Sequence, residues 1–102
     1  MAIYVDFDKT LAYHEEEWGA SRIGKPLLPM VMRIKHWLRL GKEIKIFTAR
    51  ASHGPEMIGE IQDWLESVGL PRLEVTNIKG HDIEFLVDDR ARRAIPNTGE
   101  ME

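Results

Sequence analysis

The chain has 102 residues, 43% hydrophobic and 30% charged, with a formal net charge of -3. That length supports one domain with one core and leaves no room for a second lobe. The absence of cysteine excludes disulfides and thiolate metal sites, no apolar run approaches a membrane span, and the mild acidity offers no electrostatic footprint for tight nucleic-acid binding.

The N-terminus has no basic-then-apolar leader, so a cytoplasmic protein is expected. Ile3, Tyr4 and Val5 form an apolar run suited to a strand buried on both faces. Asp6 and Asp8 follow at its end, two residues apart. In extended backbone that spacing turns both carboxylates to one side, a costly arrangement unless something positive sits there. Thr10 adds a hydroxyl able to fix the turn or meet a substrate. Residues 11–26 then form a polar, irregular flap carrying Glu15, Glu16, Glu17, Trp18, Gly19, Arg22, Gly24 and Lys25. Loops of this length in compact domains usually serve a purpose.

Pro29 suits the first turn of a helix whose apolar face is Leu27, Met30, Val31, Ile34, Trp37 and Leu38, with Gly41 as its stop. Ile44–Phe47 is the second strand, ending at Thr48-Ala49-Arg50. A second helix starts within Ser52–Pro55, carries Met57, Ile58, Ile61, Trp64, Leu65 and Val68, and stops at Gly69 and Pro71. Leu73–Thr76 is a short third strand and Ile83–Val87 a fourth, ending in Asp88-Asp89. Arg90–Ala94 reads as the start of a last helical turn, and 96–102 as a tail behind a domain spanning 1–95.

Strands alternating with helices predict an α/β protein with a parallel sheet, whose ligands bind beyond the carboxyl ends of the strands. Asp6/Asp8, Thr48/Arg50 and Asp88/Asp89 all fall at such ends. Only six residues join the third and fourth strands, too few for an ordinary parallel crossover. Four converging carboxylates call for a hard divalent cation, Mg²⁺ in the absence of thiolates. Asp6 then suits a carboxylate nucleophile and Asp8 a proton shuttle, with the Thr48 hydroxyl and a lysine on phosphate oxygens. Arg50 would clamp a substrate phosphate or pair with a nearby acid. His14, His53 and His81 read as surface loop histidines.

Asp6-Phe7-Asp8-Lys9-Thr10, Thr48 and Asp88-Asp89, each after an apolar strand, resemble the ordered motifs of the haloacid dehalogenase superfamily of phosphohydrolases. Arg22-Ile23-Gly24, Thr48-Ala49-Arg50 and Asp88-Asp89-Arg90 resemble its very small bacterial and phage-like members. The resemblance implies a minimal Rossmann-like three-layer sandwich with no cap domain. It implies a Mg²⁺-dependent phosphatase: Asp6 forms an aspartyl phosphate, Asp8 is general acid/base with its backbone carbonyl on the metal, and Thr48 and Lys79 hold the phosphoryl group. Asp88 would be a metal ligand and Asp89 a second ligand or orienting partner. Lys9 stands where many members carry glycine, and Lys25 is the fallback for Lys79.

The expected partner is a phosphorylated substrate, either a small metabolite, a nucleotide or a macromolecular end. Nucleic acid would enter only as substrate, and an oligomer could cover the open site. A catalytically weak Mg²⁺/phosphate-binding module is the alternative. A response-regulator receiver ranks below both, because its acidic pair comes first in the chain and here it comes last.

Overall fold

The structure is a computed structural model describing residues 1–102. Its elements are β1 (Ala2–Asp6), α1 (Leu28–Arg39), β2 (Glu43–Phe47), α2 (Pro55–Ser67), β3 (Glu74–Thr76) and β4 (Ile83–Val87). Single-turn 3-10 helices occupy Glu16–Trp18 and Ala49–His53. All strand pairings are parallel, in the order β3-β2-β1-β4. This is the cap-less α/β arrangement expected from the alternation of strands and helices. No helix is long and apolar enough to cross a membrane.

β1 is central, and Ala2, Ile3, Tyr4 and Val5 are all buried. Period-2 alternation divides them between the two faces. Ile3 and Val5 join Ile44, Ile46 and Val75 of the neighbouring strands in one apolar cluster with Val31 and Ile34 of α1 and Ile61 and Leu65 of α2. Both helices therefore cover the same face. That follows from handedness: β1-α1-β2-α2-β3 steps across the sheet in one direction, so right-handed crossovers put both helices on one side. Gly41 at φ 80° and Gly69 at φ 87° end the two helices in the left-handed conformation that glycine accepts.

The opposite face carries Tyr4, Lys45 and Phe47, and no helix covers it. Its layer is the extended segment 77–82, which runs from one edge of the sheet to the other. Tyr4 pins this strap. Its Oη donates to Asp82 Oδ1 (2.7 Å) and accepts from Gly80 N (3.1 Å). Lys45 Nζ lies 2.9 Å from Asp82 Oδ2, and Ala2 N donates to the Asp82 carbonyl (2.6 Å). A Cβ on Gly80 would stand 2.5 Å from Asp82 Oδ1 and 2.8 Å from Tyr4 Oη, so only glycine fits the crossing. Six residues suffice because they form no helix and cross the sheet directly.

Past β4 the expected helical turn at Arg90–Ala94 does not form. The Arg90 amide donates to Asp88 Oδ1 (2.7 Å), which closes a turn. The chain then folds back as a reverse turn, with Ala94 bridged to Met101 and Asn97 at φ 62°. Pro96 lacks the N–H that a helix would need there. The second helix starts at Pro55, within the expected Ser52–Pro55, behind a 3-10 turn at Ala49–His53.

Candidate functional site at the carboxyl edge of the sheet

Sequence order reverses beside β1, with β2 on one side and β4 on the other. A crevice opens at such a reversal, beyond the carboxyl ends of the strands. Asp6 ends β1 there, and Asp88 and Asp89 follow β4 directly. One ligand oxygen from each of these three acids lies within 4.8 Å of the others. Asp6 is half-buried and its pKa is pushed up to about 7. Burial is the main cause, followed by a hydrogen bond with Asp89 and the charge of Asp88; Thr10 and the Phe7 amide pull the other way. Three hard oxygen donors that repel one another, with no thiolate in the chain, fit a Mg²⁺-type cation.

Asp6 and Asp8 line two clefts. One, of about 320 Å³, faces β4 and is bounded by Lys9, His14, Glu16, Asp88, Asp89 and Arg90. The other, of about 390 Å³, runs under the flap and is bounded by Gly19, Ala20, Thr48, Arg50 and His53. Thr48, 4% exposed, ends the extended backbone after β2. Its Oγ1 accepts from Arg50 N (3.2 Å), which leaves the hydroxyl hydrogen free to donate.

Arg50 is also buried, and its guanidinium does not face the clefts as a free phosphate clamp. Nε donates to Asp8 Oδ2 (2.8 Å) and Nη2 to Asp8 Oδ1 (3.1 Å). The remaining N–H groups meet flap carbonyls: Arg22 (2.7 Å), Ala20 (3.4 Å) and Gly19 (3.5 Å). Arg50 thus ties Asp8 to the flap. Trp64 Nε1 adds a second tie, donating to the Gly24 carbonyl (3.0 Å). Within the flap, Trp18 packs against Tyr13 and His14 and carries the Arg22 guanidinium 4.1 Å above its ring.

Thr10 likewise serves the acids. Its Oγ1 lies 3.1 Å from Asp6 Oδ2 and 3.4 Å from Asp89 Oδ1 and is placed to bridge them, not to meet a substrate. The Asp8 carboxylate is not part of the three-acid cluster. Lys79 is exposed on the strap and Lys25 is exposed on the flap with its ammonium 5.7 Å over the Tyr13 ring; neither lines the clefts. Lys9 does line one. It sits at φ 70°, in the left-handed region that favours glycine.

His14 departs from the surface reading. Its side chain is only 10% exposed, and Nδ1 lies 3.3 Å from Asp8 Oδ1, with hydrogen-bond geometry to no partner. Glu16 and Arg90 are also at the site. The Glu16 carboxylate bridges Lys9 and Arg90 (Nη2 3.1 Å) across the cleft mouth, and the Lys9 hydrogen bond holds it below the usual carboxylate range. The run Glu15-Glu16-Glu17 flagged acidity near the mouth, but nothing in it marked Glu16 as the residue turned inward.

No family model and no curated protein matches this chain. Among solved structures, a conserved protein encoded by a locus of Bacteroides thetaiotaomicron aligns over 89% of this chain and 77% of its own, at 22% identity and a TM-score of 0.68. That likeness establishes a shared fold.

Proposed function

We propose that this chain is a cap-less, Mg²⁺-dependent phosphatase of the haloacid dehalogenase kind. The observation that carries the reading is the meeting of Asp6, Asp88 and Asp89 within 4.8 Å at the sheet's reversal point, with the Thr48 hydroxyl on the other flank of Asp6. A bound Mg²⁺ would neutralise these acids and the phosphate oxygens; Asp6, Asp88 and Asp89 would hold it.

The chain's own residues then divide the chemistry. Asp6 attacks phosphorus, and the bond from phosphorus to the leaving oxygen breaks. Asp8, entering this step protonated, gives that oxygen its proton and is left as the carboxylate. It later takes one from the water that hydrolyses the aspartyl phosphate and frees Asp6. Arg50 holds Asp8 by both oxygens, and each oxygen keeps a second lone pair for this exchange. Thr48 donates to a phosphoryl oxygen.

One observation favours the alternative of a weak Mg²⁺/phosphate-binding module: neither Lys79 nor Lys25 lines the clefts. Phosphate-ester hydrolysis measured with and without Mg²⁺, for the native chain and Asp6→Asn, separates the two. Turnover that needs Mg²⁺ and disappears in Asp6→Asn supports the phosphatase. Metal-independent turnover, or full activity in Asp6→Asn, refutes it. Mg²⁺-dependent orthophosphate binding without turnover of any ester supports the binding module.

A further inference from the structure

We propose that Lys9 and Arg90 form a second anion subsite at the mouth of the cleft, built for a second phosphate group on a small phosphate ester. Glu16 of the flap occupies it in the ligand-free chain. The inference rests on the phosphatase reading and names its substrate class.

Lys9 comes from the turn after β1 and Arg90 from the turn after β4, and both line the cleft that contains Asp6. They converge on a single carboxylate oxygen, Glu16 Oε1, with Arg90 Nη2 at 3.1 Å. The chain thus supplies from its flap an anion that sits where two cations meet. A carboxylate and a phosphate present similar oxygens to such a pair. Arginine offers a planar fork suited to phosphate, and lysine adds a compact charge.

The resident anion is easily exchanged. All three side chains are open to water: Lys9 is 35% exposed, Glu16 68% and Arg90 74%. Exposed ion pairs are of marginal net strength, so little is lost when Glu16 swings away. It also sits on a single-turn 3-10 helix with no side-chain cap.

The backbone that carries the two cations is fixed on both sides of the cleft. Lys9 keeps a left-handed φ of 70°, unfavourable for a side-chain-bearing residue, and its amide donates to the Ala12 carbonyl (2.8 Å). The Arg90 amide is anchored on Asp88 Oδ1. Strain retained beside a reacting group is usually functional. A lysine in that conformation, where glycine would be unstrained, places its ammonium over the cleft. Asp6 lines the same cleft as this pair, so a ligand with its reacting phosphate at Asp6 meets the pair along that cleft. A cleft of about 320 Å³ suits a small molecule.

The test is calorimetric titration in Mg²⁺ with methylenediphosphonate, a non-hydrolysable double phosphate, against orthophosphate. The native chain, Glu16→Gln, and Lys9→Ala/Arg90→Ala are compared, with circular dichroism confirming that each variant folds. Glu16→Gln removes the competitor and is expected to tighten methylenediphosphonate about five-fold, with orthophosphate nearly unchanged. Lys9→Ala/Arg90→Ala is expected to erase the advantage of methylenediphosphonate over orthophosphate. Equal affinity for methylenediphosphonate in the native chain and Glu16→Gln, or an undiminished advantage in the double variant, overturns the subsite. Orthophosphate binding that ignores Mg²⁺ and survives Asp88→Asn unchanged instead overturns the phosphatase reading. The Glu16→Gln comparison then still decides whether the cation pair binds anions.

Discussion

The Arg50 guanidinium meets Asp8 through two parallel hydrogen bonds, Nε to Oδ2 at 2.8 Å and Nη2 to Oδ1 at 3.1 Å, while its remaining N–H groups hold the flap backbone. One buried side chain thereby fixes both the Asp8 carboxylate and the loop above it. A lysine keeps the charge but not the fork. Arg50→Lys is therefore expected to fold, to lower kcat more than it raises KM, and to speed tryptic cleavage after Arg22. Arg50→Ala leaves Asp8 and three carbonyls without their partner and is expected to cost about 2–4 kcal/mol in urea unfolding. Unchanged kcat and unchanged cleavage in Arg50→Lys would remove Arg50 from the role of positioning residue.

Asp6 sets a pH dependence whose sign is fixed by the direction of its shift. Its folded-state pKa, about 7, lies above the ordinary carboxylate value. The protonated form is favoured by folding, so its contribution to stability is complete below the ordinary carboxylate pKa and is lost as pH rises through 7. In metal-free protein, Tm is expected to fall between pH 4.5 and 8 on this account. Asp6→Asn should flatten that slope. On the proposed reading Mg²⁺ would favour the ionised form, and it is expected to raise Tm most at the upper end of the range. A slope that is identical in Asp6→Asn would show that the dependence comes from elsewhere.

The strap should be sensitive out of proportion to its length. Gly80→Ala puts a methyl group against Asp82 and Tyr4 Oη, and Tyr4→Phe strands the Gly80 amide. Each is expected to lower Tm by about 5 °C. The hydrogen bond from Tyr4, and then Lys45, hold the Asp82 pKa below the ordinary value. That contribution is present at neutral pH and is lost as pH falls through the lowered pKa, so Asp82→Asn should blunt acid unfolding. Thermal scans from pH 2.5 to 7 would reveal it.

Gly24 tests the docking of the flap. A Cβ there would lie 1.9 Å from the Tyr13 carbonyl, and the Gly24 carbonyl accepts from Trp64 Nε1. Gly24→Ala must displace the flap, and it is expected to change Trp fluorescence and to increase tryptic cleavage after Arg22. Trp64→Phe, which retains the ring face against Phe7 but loses the N–H, should loosen the flap with a smaller loss of stability. An unperturbed flap in both variants would show that Arg50 alone secures it.

Much of this was legible in the chain. The apolar run Ile3–Val5, the stripes of α1 and α2, and the carboxylates after β1 and β4 lie where periodicity and strand-end reasoning put them. Asp6, Asp88 and Asp89 converge because a parallel sheet brings its carboxyl ends to one edge. Side-chain partners were not legible. Arg50 follows its strand by three residues whether it faces a substrate or Asp8; only the path of the flap, which places three carbonyls around it, decides. His14 and Glu16 are inward-facing for the same reason, and an irregular loop has no period from which to read its faces. The helical turn expected at Arg90 gave way to a reverse turn that bridges Ala94 to Met101, a pairing with residues of the tail that no local pattern announces. The six-residue link looked too short because a helix normally makes the return; Tyr4 and Gly80 let extended backbone replace it.

The place of β4 in the sheet has a kinetic consequence. β1 and β2 can pair through a local crossover, but β4 must come from late in the chain to lie along β1. Such distant pairings pay loop-closure entropy before any contact rewards them. Asp88 and Asp89 arrive only with that strand. The three-acid set is therefore absent from an emerging or partly folded chain, and the protein gains its candidate chemistry in the step that closes the sheet.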